Sequence, residues 1–582
     1  MLLNNYDKED IRVRWLKNLI LTLLILIIFI YLIIQTQWGA KQLSDLLSKY
    51  TQYDVKIGVI SHHLTTPGEI VLQDVAIHNK QNRFKLNTKQ ITFELLWQKI
   101  FSGSWLHRLV VTEGELTLPS SRQIFPFSSK ILQLENMNVN YRIGNIGLLA
   151  SNITGGITPW QPTADNPFGE GNFQFTTEQF EINNIHLTTL LAKGSYKINS
   201  LFIDKLTAYL NNGVINAKAV QYTDQAITLA KLMLTNTGWQ FSSSLSQLIN
   251  KLRDIKKLSI KELNLTNTHF QGKDWAITGL SGKVTDIVLS AGNWNSPSSQ
   301  LSINVDELVY KNQQISQLMA DMTFTNDILH FNRLAGYYDK GLFNIEANWH
   351  TKQQSINIIN AQLAGIRYQL ADDWFNFFKT PVANWLNSLH ITNFKLTNSL
   401  LMDINANFPF ELTNVNGYLT NMDLIKQKKW GLWQGKGAFI ASSGTLNKVM
   451  LRQPYIQISS HSDHSFAVDL NTNIENGLVK FTTNIQQQAN DNAFSLSANG
   501  INVDLAILNQ WGWKNLPIQT LADFNFTLKG NLLANPIAQT LTGELSYQTL
   551  SGEKKAYSMS KGEITAQNDS QIPLTTANDE KP

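Results

Sequence analysis

A chain of 582 residues is too long for one ordinary hydrophobic core, so it folds either as several domains or as an extended, repetitive architecture. Only 16% of its residues are charged against 43% hydrophobic, and uncharged Asn, Thr, Ser and Gln make up the balance, as suits a β-rich protein. A formal net charge of +4, with no Lys/Arg block beyond the N-terminus, argues against a nucleic-acid partner, and the absence of cysteine excludes disulfides, Cys-based metal sites and a cysteine nucleophile.

The first element is a membrane segment. Leu19 to Ile34 is apolar except for Thr22, and Trp15 and Trp38 stand on either side as interfacial anchors. Lys8, Arg12, Arg14 and Lys17 precede the run and Lys41 is the first basic residue after it, which puts the N-terminus in the cytoplasm and the rest of the chain on the far side. A cleaved signal peptide is the rival reading, but Trp38 occupies a position where signal peptidase wants a small residue. No later apolar run is long enough to span a bilayer.

After the anchor, Leu43, Leu46 and Leu47 have helical spacing, and the period then changes to two. Val55, Ile57 and Val59 share one face; so do Ile70 and Leu72, then Val75 and Ile77 after a slip at Asp74-Val75 that reads as a bulge. Ile91, Phe93 and Leu95 follow, and then Leu109, Val111, Leu116 and Leu118, with Glu113-Gly114 read as a turn between two strands. The unit recurs without a fixed period. Examples are Ile203 to Ala217 around Asn211-Asn212-Gly213, Ile260 to Phe270, the stretch turning at Asp339-Lys340-Gly341, and Leu389 to Ile404. This predicts a long meander of antiparallel strands of unequal length rather than a propeller or short-period β-helix.

Helical interruptions are predicted at Leu245–Ile255, around Trp374, Phe377, Phe378, Trp385 and Leu389, and within 503–513. From Ser551 the chain reads as a polar, disordered tail. Chemistry is sparse. His461, Asp463 and His464 read as a solvated loop rather than a metal site, and the Gly-Lys pair before Gly437 lacks the spacing of a P-loop. No catalytic residue, metal or cofactor is expected, and the protein is read as not an enzyme.

A sheet with one apolar face must bury it in a sandwich, in a barrel, or under an apolar ligand. Here the residues carry a resemblance. The N-terminal span, the short helix, the strand ending near Pro67 and the Leu72, Val75, Ile77 strand resemble the start of the AsmA family of bacterial envelope proteins. So do the segment Leu96 to Gly103 and the unit Leu106, Leu109, Val111, Leu116, Leu118. The stretch 521–547, with Gly530 and Gly543 at its turns, is similar to the family's late strands, whereas the chain after Tyr547 departs from it.

The resemblance implies a mainly β fold: a single transmembrane helix, then an elongated antiparallel sheet curled into a hydrophobic groove, with a few short helices. It divides the chain into a cytoplasmic N-terminus (1–17), an anchor (18–37), a family-like β region (38–119), an extended groove (120–550) and a tail (551–582). It implies a protein anchored in the bacterial inner membrane, with its bulk in the periplasm, that carries phospholipid acyl chains between inner and outer membranes. The expected groove lining is Val55, Ile57, Val59, Ile70, Leu72, Val75, Ile77, Leu109, Val111, Leu116 and Leu118. Two other readings stay open: an assembly factor that engages outer-membrane or periplasmic proteins through strand edges, and an anchored stalk or adhesin.

Overall fold

The computed structural model describes residues 6–567, apart from breaks at 81–82, 97–105, 119–127, 144–145, 164–168, 184, 198–199, 224–225, 254–255, 291–292, 295, 297, 326, 371–379, 406–407, 463, 476, 488–491, 514–515 and 535. Strands dominate. The chain divides into two compact units, Met1–Gln271 with Thr285–Asn295, and Gly272–Val284 with Ser296–Pro582.

The first unit begins with helix α1 (Tyr6–Ile34), whose stretch Val13–Ile34 is apolar enough to cross a membrane and has no buried residue. The helix stops at Ile34, three residues short of the expected end, because Thr36 caps a new one: its hydroxyl accepts the Gly39 N–H of α2 (Gln37–Tyr50). Gly39 is required there, since a Cβ would lie 2.4 Å from the Ile33 carbonyl oxygen. Helix α2 then docks by its serines. Ser44 Oγ accepts the Ile57 N–H at 3.0 Å and Ser48 Oγ accepts the Val55 N–H at 2.8 Å, while Leu43 and Leu47 pack on Val55, Ile57 and Ile60.

The strands that follow are β1 (Tyr53–Lys56), β2 (Val59–His62), β3 (Glu69–Asn79), β4 (Lys85–Leu95), β5 (Leu106–Leu118), β6 (Ile131–Ile143), β7 (Ile146–Thr158) and β8 (Gly171–Ile182). β1 and β2 both pair antiparallel with β3, and each later strand pairs with the one before it. The β5–β6 join is the exception, being parallel, with Arg108 opposite Ile131. The unit holds a second parallel join, Ala226–Thr235 on Lys257–Gln271, and there helix α3 (Leu245–Arg253) lies in the connection. In the second unit Ser355–Ala364 pairs parallel with Ser388–Asp403. A parallel pair needs a crossover rather than a hairpin, and these three joins among the described residues coincide with long connections. The antiparallel expectation therefore holds for most of each sheet and is interrupted there.

The long strands carry a device that sequence reading took for turns. Glu113 does not end a strand; β5 runs through it, with Glu113 at φ 49 and the register to β4 continuing unshifted from Thr112 opposite Gln90 to Gly114 opposite Thr88. Asp74, Asn136 and Asn152 hold the same left-handed conformation inside β3, β6 and β7, as do Asn267 and Asn398 within their strands. At Asn136, Asn152 and Asn398 the register with a neighbouring strand shifts, as in a bulge, whereas at Asp74, Glu113 and Asn267 it continues unshifted. In each case the left-handed residue moves the alternation by one, so apolar residues on both sides of the bend stay on one face.

Polar side chains satisfy the groups that each bend disturbs. The N–H of Asn136 donates to Thr154 Oγ1 and that of Asn152 to Asn138 Oδ1, each at 3.1 Å; Asn398 and Asn502 do the same with Asn416 and Asp523. Buried threonines serve the carbonyl just before the left-handed residue. Thr88 donates to Thr112 O, Thr177 to Ser151 O, and Thr472 to Arg452 O ahead of Gln453. The Asn- and Thr-rich composition thus has a structural origin.

Other expectations meet mixed outcomes. Turns stand at Asn211-Asn212 and at Asp339-Lys340, both with left-handed residues. Residues 380–387 are irregular rather than helical and Leu389 lies in a strand, while Trp374, Phe377 and Phe378 lie outside the described residues. Leu96 is the last described residue of the 96–103 stretch. The segment read as a tail from Ser551 bears two strands, Lys554–Ser560 and Glu563–Ala566, with Ala556 and Met559 buried; one-sided burial holds them, and residues 568–582 lie outside the described ones.

Candidate functional site

Chemistry first narrows the field. Among the described residues no three His, Cys, Asp or Glu side chains gather as a metal site, and Asp463 lies outside them. The feature that stands out is an apolar cavity in the first unit.

It is built where α2, β1, β3, β4, β5 and β6 turn their apolar faces toward one another. Its volume is about 260 Å³, and of its twenty lining residues only Thr51 is neither aliphatic nor aromatic nor Met. The left-handed residues within the strands aim the lining. On β3 the slip at Asp74 keeps Leu72, Val75 and Ile77 together; on β5 that at Glu113 unites Leu109 and Val111 with Leu116 and Leu118; on β6 that at Asn136 unites Leu132 and Leu134 with Met137. Gly114 marks the tightest point of the bend, since a Cβ there would stand 2.1 Å from the Asn87 carbonyl oxygen.

On the opposite face the same bends carry charge. Lys89 Nζ meets Glu113 Oε2 at 2.8 Å, and that hydrogen bond, helped by the Glu113 and Asp74 carboxylates, raises the Lys89 pKa above its ordinary value. The sheet is therefore polar behind and apolar before.

Nine of the eleven residues expected to line a lipid groove border this cavity: Val55, Ile57, Leu72, Val75, Ile77, Leu109, Val111, Leu116 and Leu118. Val59 and Ile70 do not. The chain breaks between β1 and β2 at Gly58, whose N–H donates to Gln73 O, and the alternation restarts there, so Ile60 rather than Val59 is buried. Ile70 lies on the Leu72 face but packs beside Ile60 and Ile57, under α2. Of the anchor residues, Trp15, Leu19 and Ile34 are exposed along α1, and Trp38 is exposed on α2.

Sequence reading omitted several lining residues. Ile91, Phe93, Leu132 and Leu134 carry the same alternation and were findable; Leu47 comes from α2, and Trp160 arrives through a two-bond bridge to Ser129, 31 residues earlier, which leaves no local signal. The second unit has its own apolar cavity of about 620 Å³, lined among others by Phe343, Ile366, Phe394, Leu396, Leu412, Phe439 and Ile458. That volume is ordinary for a small-molecule pocket, about 300–1,000 Å³, and the first falls just below.

The fold and the cavities define a class: a protein with one apolar N-terminal helix, followed by long one-sided β-sheets whose bent faces enclose apolar space. No family model matches the chain. Its sequence is 26% identical over 560 residues to the AsmA family protein YicH of Escherichia coli (strain K12), an alignment covering 95% of this chain and 98% of that protein. This likeness along nearly the whole of both chains supports membership of the AsmA family. With α1 as a single-pass membrane anchor, this fits an envelope-associated protein.

Proposed function

We propose that the protein is anchored in the bacterial inner membrane, with its β units in the periplasm, and that the apolar faces of its sheets take phospholipid acyl chains and aid their transfer between inner and outer membranes. One observation carries this reading: the cavity in the first unit presents an almost wholly apolar lining, Val111 and Leu116 included, without a catalytic group among the lining residues. Burying each methylene of a chain against such a surface is favourable by roughly 0.8 kcal/mol. The Lys8, Arg12, Arg14 and Lys17 cluster ahead of the apolar run Leu19 to Ile34 favours the cytoplasmic N-terminus. The protein acts as a carrier and not as an enzyme.

The test is a photo-crosslinking amino acid at Leu116 of the full-length chain, in cells whose phospholipids carry radioactive phosphate. A labelled adduct that disappears in a Val111→Asp background is the expected result. A crosslinker at Leu19, inside the membrane span, serves as the positive control; label there and none at Leu116 overturns the reading in favour of a strand-edge assembly factor.

A further inference from the structure

The apolar surface left uncovered in the first unit is not scattered. On α2, Trp38, Leu46 and Tyr50 are exposed and follow one another along one side of the helix at spacings of eight and four residues, while Leu43, Leu47 and Ser44 occupy the side that packs on β1. Lys41 and Lys49 are exposed on the same helix. A further exposed apolar residue stands nearby in the fold: Leu64, 78% exposed, at the tip of the 63–68 loop between β2 and β3. The loop is tightly wound, with Thr66 N–H donating to His63 O and Glu69 N–H to Thr66 O.

What fixes the level of this loop is α1. Tyr31 Oη lies 3.1 Å from both Nδ1 and the carbonyl oxygen of His62, the two rings meet edge to face at 5.6 Å, and His62 Nε2 lies 3.1 Å from Pro67 O. Tyr31 is three residues before the end of the apolar span, about 4.5 Å along a helix. A loop tied to that residue sits at the depth of the bilayer boundary, and an exposed Leu at its tip has lipid rather than water to meet.

We infer that α2 and the 63–68 loop form a collar seated in the membrane leaflet from which α1 emerges, with Leu64, Trp38, Leu46 and Tyr50 at the boundary of headgroups and acyl chains and Lys41 and Lys49 toward the phosphates. Two facts select this occupant: the surface is continuous with the membrane-spanning helix, and its Trp, Tyr, Leu and Lys composition is that of an interfacial helix. The collar also borders the cavity, because Leu47 in the last turn of α2, Thr51 just after the helix and Tyr53 at the start of β1 form part of its wall. Resting on the lipid-carrier reading, it is the place where an acyl chain leaves the leaflet for the protein.

The chain contains no cysteine, so a single introduced one is a unique label site. The full-length variants Leu64→Cys, Leu46→Cys and Tyr222→Cys, each spin-labelled and held in nanodiscs of phosphatidylethanolamine and phosphatidylglycerol at about three to one, are compared for relaxation by oxygen and by a water-soluble nickel chelate. Tyr222 is an exposed residue remote from the collar in sequence. Labels at Leu64 and Leu46 that favour oxygen over nickel several-fold more than the label at Tyr222 are the expected outcome. A Leu64 label as open to nickel as that at Tyr222 overturns the proposal, as does dipolar broadening that places a second copy of the chain on Leu64.

The entry role has a separate readout. Leu64→Asp should slow the loading of a fluorescent phospholipid from the nanodisc by roughly ten-fold while leaving the Leu116 lipid adduct at its full final level; unchanged loading overturns entry at this site. Should the Leu116 adduct itself be absent, the carrier reading fails while the depth measurement still decides the collar.

Discussion

The start of the first unit and the end of the second are built from the same kind of strand and have opposite fates. Around β3 to β6 the apolar face lines a cavity. In the second unit, the strands Gly477–Gln486, Ala493–Asp504, Leu521–Asn531 and Thr542–Thr549 show the same alternation, but a helix, α4 (Ala506–Gln510), and the chain after it lie on the face. Leu505, Leu508, Trp513 and Leu516 are buried there, with Trp511 on Phe481 at 5.4 Å and Trp513 on Phe526 at 5.8 Å. Polar bonds pin the cover: Asn509 exchanges two hydrogen bonds with the Leu516 backbone, and Trp511 Nε1 donates to Leu446 O. Alternation makes an apolar face; whether that face binds or merely packs depends on whether the chain supplies a lid.

That contrast can be broken from its covered side first. Phe524, 1% exposed beneath the cover, should cost about 3–5 kcal/mol when truncated to Ala, and hydrogen exchange should show the loss of protection in Ala493–Asp504 and Leu521–Asn531. Thr177→Val leaves the Ser151 carbonyl without its buried donor and should destabilise β7 and β8 by about 1–3 kcal/mol in the same measurement. The smallest effect is expected at the cavity: Leu116→Ala removes a half-buried side chain from its lining, about 1 kcal/mol, and should enlarge the cavity while the strand stays protected. A loss at Leu116 as large as that at Phe524 would mean that the first face is packed like the second, and the contrast would collapse.

Much of this was legible in the residues. The anchor, α2, α3 and the faces of β3 and β5 follow from period and composition, because burial on one side is what those patterns record. Left-handed bends inside strands were misread at Glu113-Gly114, and in the stretches around Asn267 and Asn398, for a physical reason: the left-handed conformation that a tight turn demands is the same one such a bend demands, and Asn, Asp and Gly supply it in both. Only the register with the neighbouring strand distinguishes them. Val59 was lost to the restart at Gly58, which depends on a bond to Gln73 fifteen residues away. The parallel joins had a signal in the helical interruptions, which fill crossover connections, but their direction depends on which strand the returning chain meets.

The order of pairing has a consequence for how such a chain is made. Nearly every strand finds its partner in the strand immediately before it, so a chain emerging N-terminus first closes only short loops, and each new hairpin adds to an edge already in place. Assembly can then advance step by step from the membrane, as in a repeat protein where each unit contacts its neighbours. The pauses fall at the three parallel joins. There a dozen or more residues must be released before the next strand can land, and the growing edge stands open in the meantime.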